Sequence, residues 1–155
     1  SSIPWLDGSS EEVARQGQQE SAALLNTWLE NTYAAESIGP GQTIIVGFSQ
    51  GTMMALLIGP RHTTPVAGIV GFSGRLLDPE LLEAEMKSKM PILLVHGDSD
   101  EVVPPSSLPE AADALAKAGF EIYTHVSKNT GHGIAPDGLG VALQFIKMQL
   151  GMPSR

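Results

Sequence analysis

The sequence predicts an α/β fold, a mostly parallel β-sheet with helices on both faces. Two observations predict it. Short continuous apolar runs rich in β-branched residues, such as Thr43-Ile44-Ile45-Val46-Gly47-Phe48, are what strands covered on both faces require. These runs alternate with segments of helical spacing, as βαβ units do. The 155 residues carry no low-complexity linker and no repeat beyond that alternation, so one domain spanning 1–155 is expected.

In chain order, Ser9-Ser10-Glu11-Glu12 is a capping-type start, and Val13, Leu24, Leu25, Trp28 and Leu29 follow at helical spacing. This predicts an amphipathic helix from Ser9 to about Asn31. Gly39-Pro40-Gly41 closes the segment, and Thr43 to Phe48 is the first strand. A helix from Gln50 to Ile58, a strand from Val66 to Phe72, a helix from Pro79 to Lys89 and a strand from Ile92 to His96 follow. Ser107 to Ala118 is a helix ended by Gly119, Glu121 to Val126 a strand, and Gly138 to Leu150 a closing helix ended by Gly151. Consecutive strands of such units lie side by side, so Val66 to Phe72 should pair with Thr43 to Phe48.

Composition narrows the function. With 9 Lys and Arg against 17 Asp and Glu the net charge is −8, and the basic residues form no patch. This excludes a sequence-independent grip on nucleic acid and disfavours docking on anionic membranes. No apolar run reaches the ~18 to 20 residues of a membrane span, so stable membrane insertion is not expected. With 0 Cys there are no disulfides, no thiolate metal sites and no cysteine nucleophile, a composition compatible with a reducing cytoplasm.

Gly47-Phe48-Ser49-Gln50-Gly51 is a G-x-S-x-G sequence set directly after a buried strand and directly before a helix. That context defines a nucleophile elbow, in which a strained turn lifts the Ser49 hydroxyl above the sheet. The N–H of the next residue, Gln50, then points to where a tetrahedral oxyanion forms. The competing reading is a chance match in a chain with 17 glycines, which the strand before and helix after argue against.

A serine hydroxyl needs a base to take its proton, and the base needs an acid to hold its tautomer. In this type of sheet the order is Ser, acid, His, each past a later strand. Of the 4 histidines, His62 lies in the loop after the elbow helix, His96 ends a strand and suits bonding of the acid loop, and His125 lies inside the last strand. Only His132, in Gly131-His132-Gly133, sits in a glycine-flanked loop past the last strand, which favours it as base. Asp98 and Asp100, in His96-Gly97-Asp98-Ser99-Asp100, compete for the acid. Asp98 is placed to cap its own turn instead.

These blocks resemble the carboxylesterase, lysophospholipase and acyl-protein thioesterase family of α/β-hydrolases. The likeness rests on Gly47 to Gly51, on His96-Gly97-Asp98-Ser99-Asp100-Glu101-Val102-Val103-Pro104 and on Gly131-His132-Gly133-Ile134, and extends from Trp5 to about Leu150. Trp5-Leu6-Asp7 is similar to the family's Trp-aromatic-Asp stretch. The resemblance implies the α/β-hydrolase fold and assigns the acid to Asp100. It also implies an earlier segment with several strands and a His-Gly-Leu-Gly-type loop supplying the second oxyanion N–H. Nothing before Trp5 matches that segment. The expectation is therefore a C-terminal portion whose N-terminal strands are absent from this chain, with the missing segment, on the same or a separate chain, as its partner.

The activity expected is cleavage of small carboxylic ester or acyl substrates through an acyl-enzyme on Ser49, with no metal or organic cofactor. Thioester or lysophospholipid cleavage uses the same triad and is the alternative. A non-catalytic module of the same fold is the alternative of another class. Leu76, Leu77, Met53 and Met54 are candidates for an acyl pocket, although apolar residues at helical spacing are more often core.

Overall fold

The two central strands of the sheet are almost wholly apolar runs, and the structure buries them from both faces. The computed structural model describes residues 39–153. The helix expected from Ser9 to Asn31 and the Trp5-Leu6-Asp7 stretch lie outside the described residues. A short 3₁₀ turn at Pro40–Gln42 leads into β1 (Ile44–Phe48), α1 (Gln50–Ile58) and β2 (Gly68–Phe72). A second 3₁₀ turn, Pro79–Leu81, runs into α2 (Leu82–Glu85), followed by β3 (Ile92–Gly97), α3 (Ser107–Lys117), β4 (Ile122–Ser127) and α4 (Pro136–Gln149). The four strands form one parallel sheet in the order β1-β2-β3-β4.

Alternate residues of the central strands feed two separate cores. Ile69, Ile92 and Leu94 pack with Leu56 of α1 and Leu108 and Leu115 of α3 on one face. Val70, Phe72, Leu93 and Val95 pack with Ala142 and Phe145 of α4 on the other. Each fully buried side chain of this size contributes roughly 1.5 to 3 kcal/mol. Because both faces are covered, β2 and β3 carry no polar alternation. The edge strands differ: β4 exposes Tyr123 and Val126, and β1 exposes Val46 and Phe48. Among the described residues no strand lies along the outer edge of β1.

Register aligns the working end. Phe48 stands opposite Phe72, Phe72 opposite Val95, and Gly97 opposite Ser127. Ser49, Ser73, the 98–103 loop and the 128–135 loop therefore emerge together at the carboxyl edge of the sheet, the usual place for a site in this class of fold.

Two predicted helices differ. The one expected from Pro79 to Lys89 is reduced to a 3₁₀ turn and a single helical turn ending at Glu85. Met86 is extended, and the N–H groups of Lys87 and Ser88 donate to the Pro60 carbonyl at 2.7 and 3.1 Å. Pro91 further disfavours a helical Met90. The last helix begins at Pro136 rather than Gly138, because proline at the first helical position forgoes an N–H that had no partner anyway.

Candidate active site

Ser49 sits between the end of β1 and the start of α1 with φ 55° and ψ −111°, a backbone state that L-residues adopt only under constraint. The constraint is visible. The Ser49 N–H donates to the Phe72 carbonyl at 2.8 Å, and the Ser49 carbonyl accepts from Met53 N–H at 3.2 Å. Gly47 is required, since a Cβ there would lie 2.5 Å from the backbone of Gly51 and Thr52. A Cβ at Gly51, by contrast, meets nothing within 4 Å among the described residues. Gln50 opens α1, so its N–H is among those with no acceptor inside the helix.

Asp100 lies in the loop after β3 with its side chain 0% exposed. Its Oδ1 accepts the N–H groups of Val102 and Val103, each at 2.9 Å. Its Oδ2 accepts from His132 Nδ1 at 2.8 Å. Burial pushes this carboxyl up, but the hydrogen bonds from His132, Val103 and Val102 outweigh it and hold Asp100 below the usual carboxylate range. With Nδ1–H committed to a carboxylate, the neutral His132 ring leaves Nε2 as acceptor. Nε2 lies 3.0 Å from Ser49 Oγ, hydrogen-bond distance for the serine hydroxyl to donate. The Phe48 ring packs against the imidazole, centroids 4.9 Å apart.

The structure thus brings Ser49, His132 and Asp100 into one hydrogen-bonded chain. Asp98 points elsewhere: its Oδ1 accepts from Ser99 Oγ at 2.9 Å and from Thr130 N–H at 3.3 Å. His62 is buried with Nδ1 2.8 Å from the Thr64 carbonyl. His96 is buried under the acid loop. Of the residues considered for an acyl pocket, Met53 and Met54 are buried and Leu76 packs against the core. Among the described residues no cluster of three or more His, Cys, Asp or Glu is placed to hold a metal.

Several contacts that shape the site had no signal in the sequence. Ser127 Oγ donates to Asp137 Oδ2 at 2.9 Å, and His125 Nε2 lies 2.6 Å from the same oxygen. Hydrogen bonds from His125 and Ser127 hold the Asp137 carboxyl below its usual range. Ser73, at φ 52°, donates its hydroxyl to the Gly133 carbonyl at 3.4 Å. A serine or aspartate at such positions looks like any loop or helix-start residue, and only the fold shows what it reaches. A glycine sequence likewise cannot say that Gly97 lies so close to the 128–135 loop that a Cβ would be 2.3 Å from the Thr130 carbonyl.

Residues 6–150 match the sequence model of the phospholipase/carboxylesterase family. The chain belongs to that family. It is 28% identical over 156 residues to acyl-protein thioesterase 1 of Gibberella zeae, covering 96% of this chain and 66% of that protein. It is 36% identical over 121 residues to acyl-protein thioesterase 1 of Saccharomyces cerevisiae, covering 74% and 53%. The crystal structure of esterase PE8 superposes with a TM-score of 0.87 at 41% identity, covering 93% of this chain and 67% of that one. These likenesses establish the α/β-hydrolase fold. The chain spans less than two thirds of the length of the two thioesterases.

Proposed function

We propose that the protein is a carboxylesterase-type serine hydrolase that works through an acyl-enzyme on Ser49. The observation that carries this reading is the unbroken series Ser49 Oγ, His132 Nε2, His132 Nδ1, Asp100 Oδ2, with spacings of 3.0 and 2.8 Å. In it Ser49 attacks the carbonyl carbon while His132 takes the hydroxyl proton. Asp100 holds the imidazole tautomer and stabilises the imidazolium that forms. The Gln50 N–H donates to the oxyanion of the tetrahedral intermediate. His132 then returns its proton to the departing alcohol, and water repeats the sequence on the acyl-enzyme. None of these steps calls for a cofactor.

The same series cleaves thioesters. The names of the Gibberella zeae and Saccharomyces cerevisiae relatives favour an acyl thioester substrate, whereas the esterase neighbour favours an oxygen ester. The outer edge of β1, with Val46 55% and Phe48 40% exposed, suits a further strand, and the additional length of the relatives is where we place it. No helix of the described residues is long and apolar enough to cross a membrane. A cytoplasmic setting fits the cysteine-free composition.

The test is Ser49→Ala in the intact protein, followed by p-nitrophenyl ester and S-acyl peptide turnover and by fluorophosphonate labelling. Labelling and turnover should both vanish while the circular dichroism spectrum stays the same. Turnover above a few per cent in the variant would sink the reading. A wild-type protein that neither labels nor turns over any substrate would favour a non-catalytic module.

A further inference from the structure

We propose that His96 is a positioning residue for the hydrolytic centre, acting through Asp100 on His132; the inference rests on the triad reading above. His96 lies near the end of β3, 2% exposed, with Nε2 2.9 Å from the Val103 carbonyl. A carbonyl can only accept, so Nε2 carries the proton and His96 donates. The same Nε2 stands 3.4 Å from Asp100 Oδ2, the oxygen that accepts from His132. The N–H is thus bonded to the carbonyl that closes the acid loop, and its nitrogen stands beside the carboxylate that orients the base.

This arrangement does two things. The bond to Val103 ties the loop back onto β3, and Val103 N–H is itself a donor to Asp100 Oδ1. The position of the whole carboxylate is then referred to a buried strand residue. The imidazole also places the positive end of its N–H dipole near Oδ2, where it offsets part of the negative charge of Asp100. In a buried setting such a dipole is poorly screened. It moderates the pull of the carboxylate on the His132 proton, which keeps the base from being over-stabilised as imidazolium before the reaction. The groups this links are His96, Asp100 and His132, drawn from β3, the acid loop and the loop after β4.

The test compares His96→Phe, which keeps the bulk and removes the donor, with His96→Gln, whose amide N–H can reach as far as Nε2. Activity is normalised to sites titrated with a fluorophosphonate. His96→Phe should lower kcat/KM ~10- to 100-fold. It should also move the acid limb of the kcat/KM pH profile upward by on the order of half a pH unit. His96→Gln should restore the limb. A merely packing role would lower the titrated fraction or the Tm and leave the limb where it is, and that result overturns the inference while Ser49→Ala stays inactive. Turnover surviving in Ser49→Ala would instead overturn the triad reading and this inference with it. If His96→Phe does not fold, ¹⁵N NMR of the wild-type imidazole decides: a neutral Nε2–H tautomer is expected, and an Nδ1–H tautomer overturns the proposal.

Discussion

Ser127, the last residue of β4, and Asp137, in the first turn of α4, are joined by a 2.9 Å hydrogen bond, and the loop that this bond closes carries His132. A base held on a free loop would spend much of its time out of reach of the serine. Here both ends of the loop are pinned to regular elements, and Ser73 fastens its far side through the Gly133 carbonyl. The same aspartate accepts from His125 and stands near the positive end of the α4 dipole, where a carboxylate is favoured.

Asp137→Asn should accordingly weaken the clamp, with kcat/KM falling roughly 10-fold as His132 loses its fixed position. The pH dependence of stability gives a separate check. A carboxyl held below its ordinary value stabilises the fold at pH above the unfolded value, about 3.9, and that contribution disappears as pH falls through the lowered value. The Tm of wild type should exceed that of Asp137→Asn at pH 6 to 7, and the gap should narrow as pH falls below about 4 and close only once it passes the lowered value. An equal gap at pH 7 and pH 3 would mean that the charge of Asp137 is not what matters.

The two aspartates of the acid loop should separate sharply. Asp100→Asn keeps the shape but loses the charge that holds the His132 tautomer, a change worth about 10⁴ in kcat for such triads. Asp98 bonds Ser99 and Thr130 at the surface, so Asp98→Ala should cost less than about 10-fold, in line with the modest value of an exposed hydrogen bond. Steady-state kinetics of both variants on one ester decides the assignment, and comparable losses would refute it.

What could be read from the chain was what repeats or what has a fixed local geometry. The runs at Gly68 and Ile92 were legible because both faces of those strands are buried and hold almost only apolar residues, and the run at Ile44 because it is apolar throughout. The elbow was legible because Gly47 meets Gly51 and Thr52, and the Ser49 carbonyl meets Met53, within five residues. The short α2 was not, because the Pro60 carbonyl that captures Lys87 and Ser88 N–H comes from a distant segment. The clamp of Asp137 by Ser127 and His125 was hidden for the same reason: its partners are set by the sheet and by the path of the loop. Between Asp98 and Asp100 the residues alone left a choice, which depended on how the 98–103 turn folds back on itself.

Gly47 and Gly51 belong to the same motif and should behave oppositely. A methyl group at Gly47 would meet backbone atoms at 2.5 Å, which cannot shift without distorting the Ser49 turn. Gly47→Ala should destabilise by about 3 kcal/mol or fail to fold. Gly51 has open space and lies in α1, where alanine is the better helix former by up to about 1 kcal/mol. Urea denaturation of Gly51→Ala should give a midpoint at or above that of wild type. A drop comparable to that of Gly47→Ala would show that the space beside Gly51 is filled by something outside residues 39–153.

Gly97 is where the acid loop and the base loop press on each other. Its Cβ would lie 2.3 Å from the Thr130 carbonyl and 2.4 Å from that of Gly131, beside the bonds from Asp98 N–H to the Ser127 carbonyl at 3.0 Å and from Ser99 N–H to the Thr130 carbonyl at 2.8 Å. A methyl group there has to push the 128–135 loop outward, and His132 travels with it. A displacement of about 1 Å at a reacting group can cost ~10² in rate, whereas the overpacking itself costs about 1 to 3 kcal/mol of stability. Gly97→Ala should therefore remain folded at 25 °C yet lose roughly two orders of magnitude in the rate of fluorophosphonate labelling of Ser49. Labelling at the wild-type rate in a folded variant would mean that contact between the two loops does not set the distance from His132 to Ser49.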